Sequence, residues 1–344
     1  MTLAPARTSA RAPAVSVLPV LAGATGMAFV GGSVAVSGLL GGAPLATVQA
    51  LRYAVACLLL LGYARLRGIR IPAPRGREWG WLLGICVTGL VLFNVALVHG
   101  ARHAEPAVFG VAVACVPLLL ATVGPLLEGR GPRPRVLAGA VVVTTGAALV
   151  EGLGRSDGAG LAWALVVFGC EAAFTLLAVP VLGRHGPVGV SVHTTWLAAV
   201  IFGALGLVHD GPTAVLRLRT DDLLAGAYLA IAVTAVAFVL WYGCVEHIGA
   251  GRAGLLTGVA PACAALTGIA LDGPVPHAPV WLGMITVAAG LTLGLRPDRR
   301  FHPPAATALR ADPEQLPVSG GHSGRGAAPS SDHPTAGDAS TPLL

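Results

Sequence analysis

Ten stretches of about twenty mostly apolar residues, separated by short polar loops, run through nearly the whole sequence. A helix needs about 20 such residues to cross the hydrocarbon core of a bilayer. In that core no water satisfies backbone N–H and C=O groups, so only helices and closed barrels span it. The stretches are 15–40, 44–64, 79–99, 106–127, 136–153, 159–182, 187–208, 223–245, 253–271 and 278–295. They predict an all-α integral membrane protein with ten transmembrane helices. The composition excludes a soluble alternative: 55% of residues are hydrophobic and 11% charged, against about 25% charged in soluble domains. Arg7 and Arg11 precede the first stretch as they would a signal peptide. Its apolar run is longer than the 7–15 residues of a signal core, so it reads as an uncleaved first span.

The arginines set the expected orientation. All 22 basic residues are Arg. With the N-terminus in the cytoplasm, fifteen arginines flank spans on the inside (Arg65, Arg67, Arg70, Arg75 and Arg77 among them) and four on the outside (Arg102, Arg155, Arg217 and Arg219). This is the positive-inside pattern, and it predicts an N-in/C-in chain with an even number of spans. It also accounts for the net charge of +6 without a nucleic-acid partner. Residues 1–14 read as a cytoplasmic N-terminal segment. Residues 301–344, rich in Pro, Gly, Ser, Thr, His and Asp, read as a disordered cytoplasmic tail. Its His302, His322 and His333 are too scattered for a metal site. The six cysteines lie in apolar stretches without a C-x-x-C pair, so neither a disulfide framework nor a zinc site is expected. No cofactor or metal is implied.

Shifting the chain by 144 residues aligns 110–149 with 254–293 without a gap, giving 12 identities in 40. Pro117 meets Pro261, Glu128-Gly129 meets Asp272-Gly273, and Gly139, Gly146 and Leu149 meet Gly283, Gly290 and Leu293. Span four thus matches span nine. A shift of five spans is odd, so the second copy is inverted in the membrane. The expected organisation is a first five-helix repeat over 15–153 and a second, inverted five-helix repeat over 159–296. Inverted repeats are a build of secondary transporters, because two oppositely oriented halves exchange conformations to open one side and then the other.

These residues resemble the drug/metabolite transporter superfamily, in particular its EamA-type ten-helix members. The resemblance rests on Ala50-Leu51-Arg52-Tyr53, on Val116–Gly129, and on Ala260–Gly273 with Gly283–Gly294. It implies a 5+5 inverted repeat and export or exchange of small metabolites, often amino acids or drug-like compounds. Two departures stand out. First spans of the family commonly carry a Trp-Gly pair where this chain reads Phe29-Val30-Gly31-Gly32-Ser33, and Asp272 stands where Glu is usual.

Charges within a bilayer are rare and mark function by default. Two lie deep: Arg52, about eight residues into span two, and Glu171, near the middle of span six. Neither is charged in its repeat mate, Trp196 or Met27. Glu171 is a candidate for coupling proton movement or binding a substrate amine; the plainer role is a neutral acid that joins helices. Arg52 keeps its proton and needs carbonyls, a carboxylate or an anionic substrate group; the two are also candidates to pair with each other. Gln49 and Asn94 are intramembrane amides that line a cavity or join helices. His193, with Thr194 and Thr195, enters span seven from the cytoplasmic side. Trp241 and Tyr242 read as interface anchors, Glu128 and Asp272 as turn-shaping acids, and Pro117 and Pro261 as paired helix kinks. The chain lacks G-x-x-x-x-G-K-[ST], H-E-x-x-H and G-x-S-x-G, so neither an ATP-driven pump nor an enzyme is indicated. The sequence thus predicts a secondary transporter of the plasma membrane for a small-molecule substrate, with proton exchange as the favoured drive. The alternative is a non-transporting receptor or assembly scaffold on the same fold. Membrane lipid is the other expected partner, and the aligned small residues would pack either two halves of one chain or two chains of a homodimer.

Overall fold

The structure, a computed structural model, describes residues 17–37, 42–270 and 276–296. Residues 1–14, the tail 301–344 and Asp272 lie outside them. Among the described residues the chain is helical, with a single isolated β-bridge between Ala104 and Ser156. The helices are α1 (Val17–Ser37), α2 (Leu45–Leu66), α3 (Glu78–Gly100), α4 (Pro106–Leu127), α5 (Pro134–Glu151), α6 (Gly158–Leu176), α7 (Val179–His209), α8 (Thr220–Ile248), α9 (Ala250–Ala270) and α10 (Ala278–Leu295). The nine from α2 to α10 are long and apolar enough to cross a membrane; in α1 the apolar run Val17–Ser33 falls short of that length. Large apolar side chains cover the outside, Leu165 being 70% exposed and Val200 62%. That surface suits lipid and not water.

Prolines open several helices at the first turn, where a missing N–H leaves nothing unbonded: Pro106 in α4 and Pro134 in α5. Asp157 caps α6 by accepting the Gly160 N–H at 2.8 Å. One expected boundary moves. The sixth span was expected to run to residue 182, but α6 ends at Leu176 and Val179 already starts α7, which kinks at Gly186 (φ 63°). Apolarity continues through this turn, so hydropathy does not register it, whereas Pro180 in the first turn of α7 does.

Two kinds of helix irregularity recur at the 144-residue offset. Within α3, Cys86–Leu92 is π-helical, and within α8, Leu229–Val236 is. Pro117 follows a break at Cys115 that divides α4 into Pro106–Ala114 and Val116–Leu127. Pro261 follows a 3-10 turn, Leu256–Gly258, in α9. A proline lacks the N–H that would bond the carbonyl four residues back and clashes with that carbonyl, so each loosens the turn ahead of it.

The first helix of each stretch expected as a repeat packs against the other stretch. α1 packs along α8 and α9, while its counterpart α6 packs against α3 and α4. α2 lies along α7, and α5 along α10. The aligned small residues are used in that last contact, within one chain. A Cβ on Gly146 would lie 2.6 Å from the Val287 nitrogen, and one on Gly290 2.7 Å from the Val143 nitrogen. Only glycine permits backbones this close.

Loop contacts sort into two ends. At the Arg-rich end, Glu78 pairs with Arg184 and lies 3.2 Å from His185 Nε2. There also, Glu128 pairs with Arg130 and accepts the Ala250 N–H at 2.7 Å. Glu128 therefore caps a helix 122 residues away as well as meeting its neighbour. At the Arg-poor end, Asp210 accepts the Thr47 N–H and hydroxyl at 2.8 and 2.9 Å, and Glu105 meets Arg155 at 2.7 Å. Apart from the neighbouring Glu128–Arg130 pair, each of these contacts joins segments that strict alternation puts on one side.

Candidate functional site

A cavity of about 210 Å³ is walled by α1, α2, α3, α6 and α8. Its polar side chains are Ser33, Arg52, Asn94 and Glu171; aromatic ones include Tyr53, Phe93, Phe174 and Trp241. Both π-helical turns contribute, through Gly89 on α3 and through Leu229 and Val233 on α8. Such turns occur in helices mostly at functional places, because they turn side chains off the regular register.

The sequence candidates divide into those the fold brings together and those it does not. Arg52, Asn94 and Glu171 share the cavity. Gln49 joins them one step behind: its Nε2 donates to Asn94 Oδ1 at 2.6 Å, and its Oε1 accepts Arg52 Nη1 at 3.3 Å. Arg52 also donates from Nε to Thr234 Oγ1 at 2.8 Å, and its Cζ lies 5.1 Å from the centre of the Tyr53 ring, within cation–π range. Among the described residues Glu171 takes part in no ion pair, so it and Arg52 face one space without meeting.

His193 lies elsewhere. It is 8% exposed, donates from Nε2 to the Pro72 carbonyl at 3.0 Å, and stands edge-on to His185 at 5.2 Å. Its place is the Arg-rich end, where it ties α7 to the α2–α3 loop. Thr194 and Thr195 bond back to carbonyls of their own helix. Pro117, Pro261 and Glu128 lie in the helix breaks and the cap described above, away from the cavity lining.

The reading of Trp241 and Tyr242 as interface anchors is overturned. They are 2% and 0% exposed. Trp241 donates to Thr175 Oγ1 at 3.0 Å, and Tyr242 donates to the Phe174 carbonyl at 3.3 Å. With Phe238 they pack on Phe174, at ring distances of 4.9 Å from Phe238 and 5.1 Å from Tyr242. Together they join α6 to α8 beside the cavity. An aromatic near a span's end reads as a belt residue only while its helix's rotation is unknown. Thr234 was missed altogether. The available signal was that it is the one hydroxyl residue in Leu229–Leu240. No group of three or more His, Cys, Asp or Glu suited to a metal occurs among the described residues.

The family model for the EamA-like transporter family matches residues 17–152 and again 158–296. An uncharacterized transporter of Bacillus subtilis (strain 168), YetK, is 27% identical over 267 residues, covering 73% of this chain and 79% of its own. A solved crystal structure, described only as that of a protein, aligns with a TM-score of 0.68 at 18% identity over 80% of this chain and 96% of its own. At that identity it speaks for the fold alone.

Proposed function

Because the chain belongs to the EamA-like transporter family, we propose that it is a secondary transporter that exports or exchanges a small amino-acid-like or drug-like metabolite by alternating access. It acts as a multi-pass protein of the plasma membrane, N-in/C-in, with α1 completing ten spans and the halves 15–153 and 159–296 inverted. The recurrence of the π-helical turns and proline breaks at one offset supports the inverted repeat, as do the two matches to the family model. The arginine bias supports the orientation.

The observation that carries the reading is the cavity that holds Arg52 and Glu171 apart between the halves. A transport site needs a solvated space where both halves contribute and where charge is available but not already neutralised. Glu171 supplies a carboxylate for a substrate amine or a proton, and Arg52 a fixed positive pole. Aromatic and aliphatic walls take the apolar part of an amphipathic solute. Proton exchange is the proposed drive, with Glu171 as the carboxyl that would carry the proton.

The test compares the metabolites released by cells that overproduce the wild type, Glu171→Gln, or neither, at matched protein levels. A compound exported by the wild type alone identifies the substrate class and assigns Glu171 to its movement. Wild-type export by Glu171→Gln at every pH removes Glu171 as the coupling group. No difference among all three favours the receptor or scaffold reading.

A further inference from the structure

Arg52 stands on α2, outside both π-helical turns, yet side-chain hydrogen bonds tie it to each of them. Toward α8, Nε donates to Thr234 Oγ1 at 2.8 Å, and the Thr234 hydroxyl donates to the Leu229 carbonyl at 2.9 Å. Toward α3, Nη1 donates to Gln49, Gln49 donates to Asn94, and Asn94 Nδ2 donates to the Leu90 carbonyl at 2.5 Å. Leu229 and Leu90 lie in the π-helical turns of opposite halves. One continuous chain of bonds therefore crosses the cavity wall, with Arg52 at its centre.

The consequence for the guanidinium is geometric. It has five N–H donors in a rigid plane. Nε and one hydrogen of Nη1 are spent on Thr234 and Gln49, and the ring of Tyr53 lies against the group. Three donors remain, one on Nη1 and two on Nη2, and a carboxylate accepts from such donors. Among the described residues no protein carboxylate pairs with Arg52. A half-buried cation that lines the cavity, with its rotation fixed and no carboxylate paired to it among the described residues, is a receptor for an anion.

We infer that Thr234 is a positioning residue: with Gln49 and Asn94 it holds Arg52 as a carboxylate subsite, so that the transported molecule carries a carboxylate or an equivalent planar anion. This rests on the cavity being the transport site. Thr234 touches no substrate in this scheme; it acts through Arg52.

The experiment uses the purified full-length protein in detergent and ligand-dependent thermal shifts. The probes are L-leucine and L-phenylalanine against their amides, which keep the amine and side chain but lack the anion. The wild type is expected to bind at least one acid ten-fold or more tightly than its amide. Thr234→Val, equal in volume without the hydroxyl, should lower that ratio toward one, and Thr234→Ser should restore it. A purely structural role would lower the melting temperature and leave the ratio unchanged, which would overturn the inference. Should Thr234→Val not fold, Gln49→Met releases the guanidinium from the other arm and carries the same expectation. A wild type that binds acid and amide equally overturns the anion subsite but leaves the cavity as a transport site. A wild type that binds none of the four probes removes the amino-acid-like substrate class, and the carboxylate inference with it; export by the cells then judges transport separately.

Discussion

Adding one methyl group at Gly146 tests how closely α5 and α10 approach. In Gly146→Ala the new Cβ would meet the Val287 nitrogen at 2.6 Å, the Gly283 oxygen at 2.8 Å and Val287 Cγ2 at 2.9 Å. Two of these are backbone atoms, which cannot swing aside. Ordinary contact begins at 3.4 Å, so the helices must part by roughly 0.8 Å, a gap that forfeits about a quarter to a half of the local dispersion attraction. Overpacking of this kind costs about 1–3 kcal/mol, here the upper part of the range. Alanine is the better helix former by about 1 kcal/mol. The net loss expected is therefore about 1–2 kcal/mol. Gly203→Ala in α7 is the control: nothing lies within 4 Å of its Cβ, so it should gain up to about 1 kcal/mol. Gly290→Ala strains the same contact, and the double variant should lose less than the sum, because helices already parted admit the second methyl more easily. SDS titration of the purified protein, followed by tryptophan fluorescence, measures all four. If Gly146→Ala were as stable as Gly203→Ala, the close approach of α5 and α10 would be wrong.

At the Arg-rich end, Glu78→Ala leaves the fully buried His185 ring without the carboxylate 3.2 Å away and frees Arg184. A loss of stability is expected in the same titration, and Glu78→Gln, which keeps an acceptor, should lose less. Trp241→Phe removes the donor to Thr175 Oγ1 and should cost about 1 kcal/mol, with a smaller melting-temperature change than Trp241→Ala. At the Arg-poor end, backbone and side-chain bonds from Arg155 hold Glu105 below its usual pKa, and the Gly160 N–H with His103 does the same for Asp157. Their contribution is present above the ordinary carboxylate range, near pH 4, and is lost as pH falls through the lowered values. Hydrogen exchange of 101–105 and 152–157, corrected for intrinsic rate, should therefore speed up on acidification below pH 4. In Glu105→Gln/Asp157→Asn that acid step should vanish.

How much was legible in the sequence differs by kind of feature. The apolar runs found the helices because each run answers to lipid by itself. The ends drifted only where apolarity ran through a turn, as between Leu176 and Val179. The 144-residue offset was legible because the breaks at Cys115 and Leu256–Gly258 are marked by prolines. The π-helical turns carry no such mark, since Cys86–Leu92 and Leu229–Val236 are as apolar as their surroundings. Arg52 and Glu171 stood out as charges in an apolar chain, but their sharing a cavity without pairing did not.

By itself the sequence determined the solvent, the number and order of apolar runs, the sided arginines and the residues too polar to be idle. Each is a local property, settled by what a segment or side chain gains or loses in lipid. Only the tertiary structure decided that α1 and α6 each pack against the other stretch expected as a repeat, that Trp241 and Tyr242 turn inward, and that Thr234 takes hold of Arg52. The physical reason is rotation about the helix axis. In a soluble helix a polar face reveals which side is out; here lipid and core are both apolar, so the face each helix buries is chosen by fit against its neighbours and leaves little trace in the order of residues.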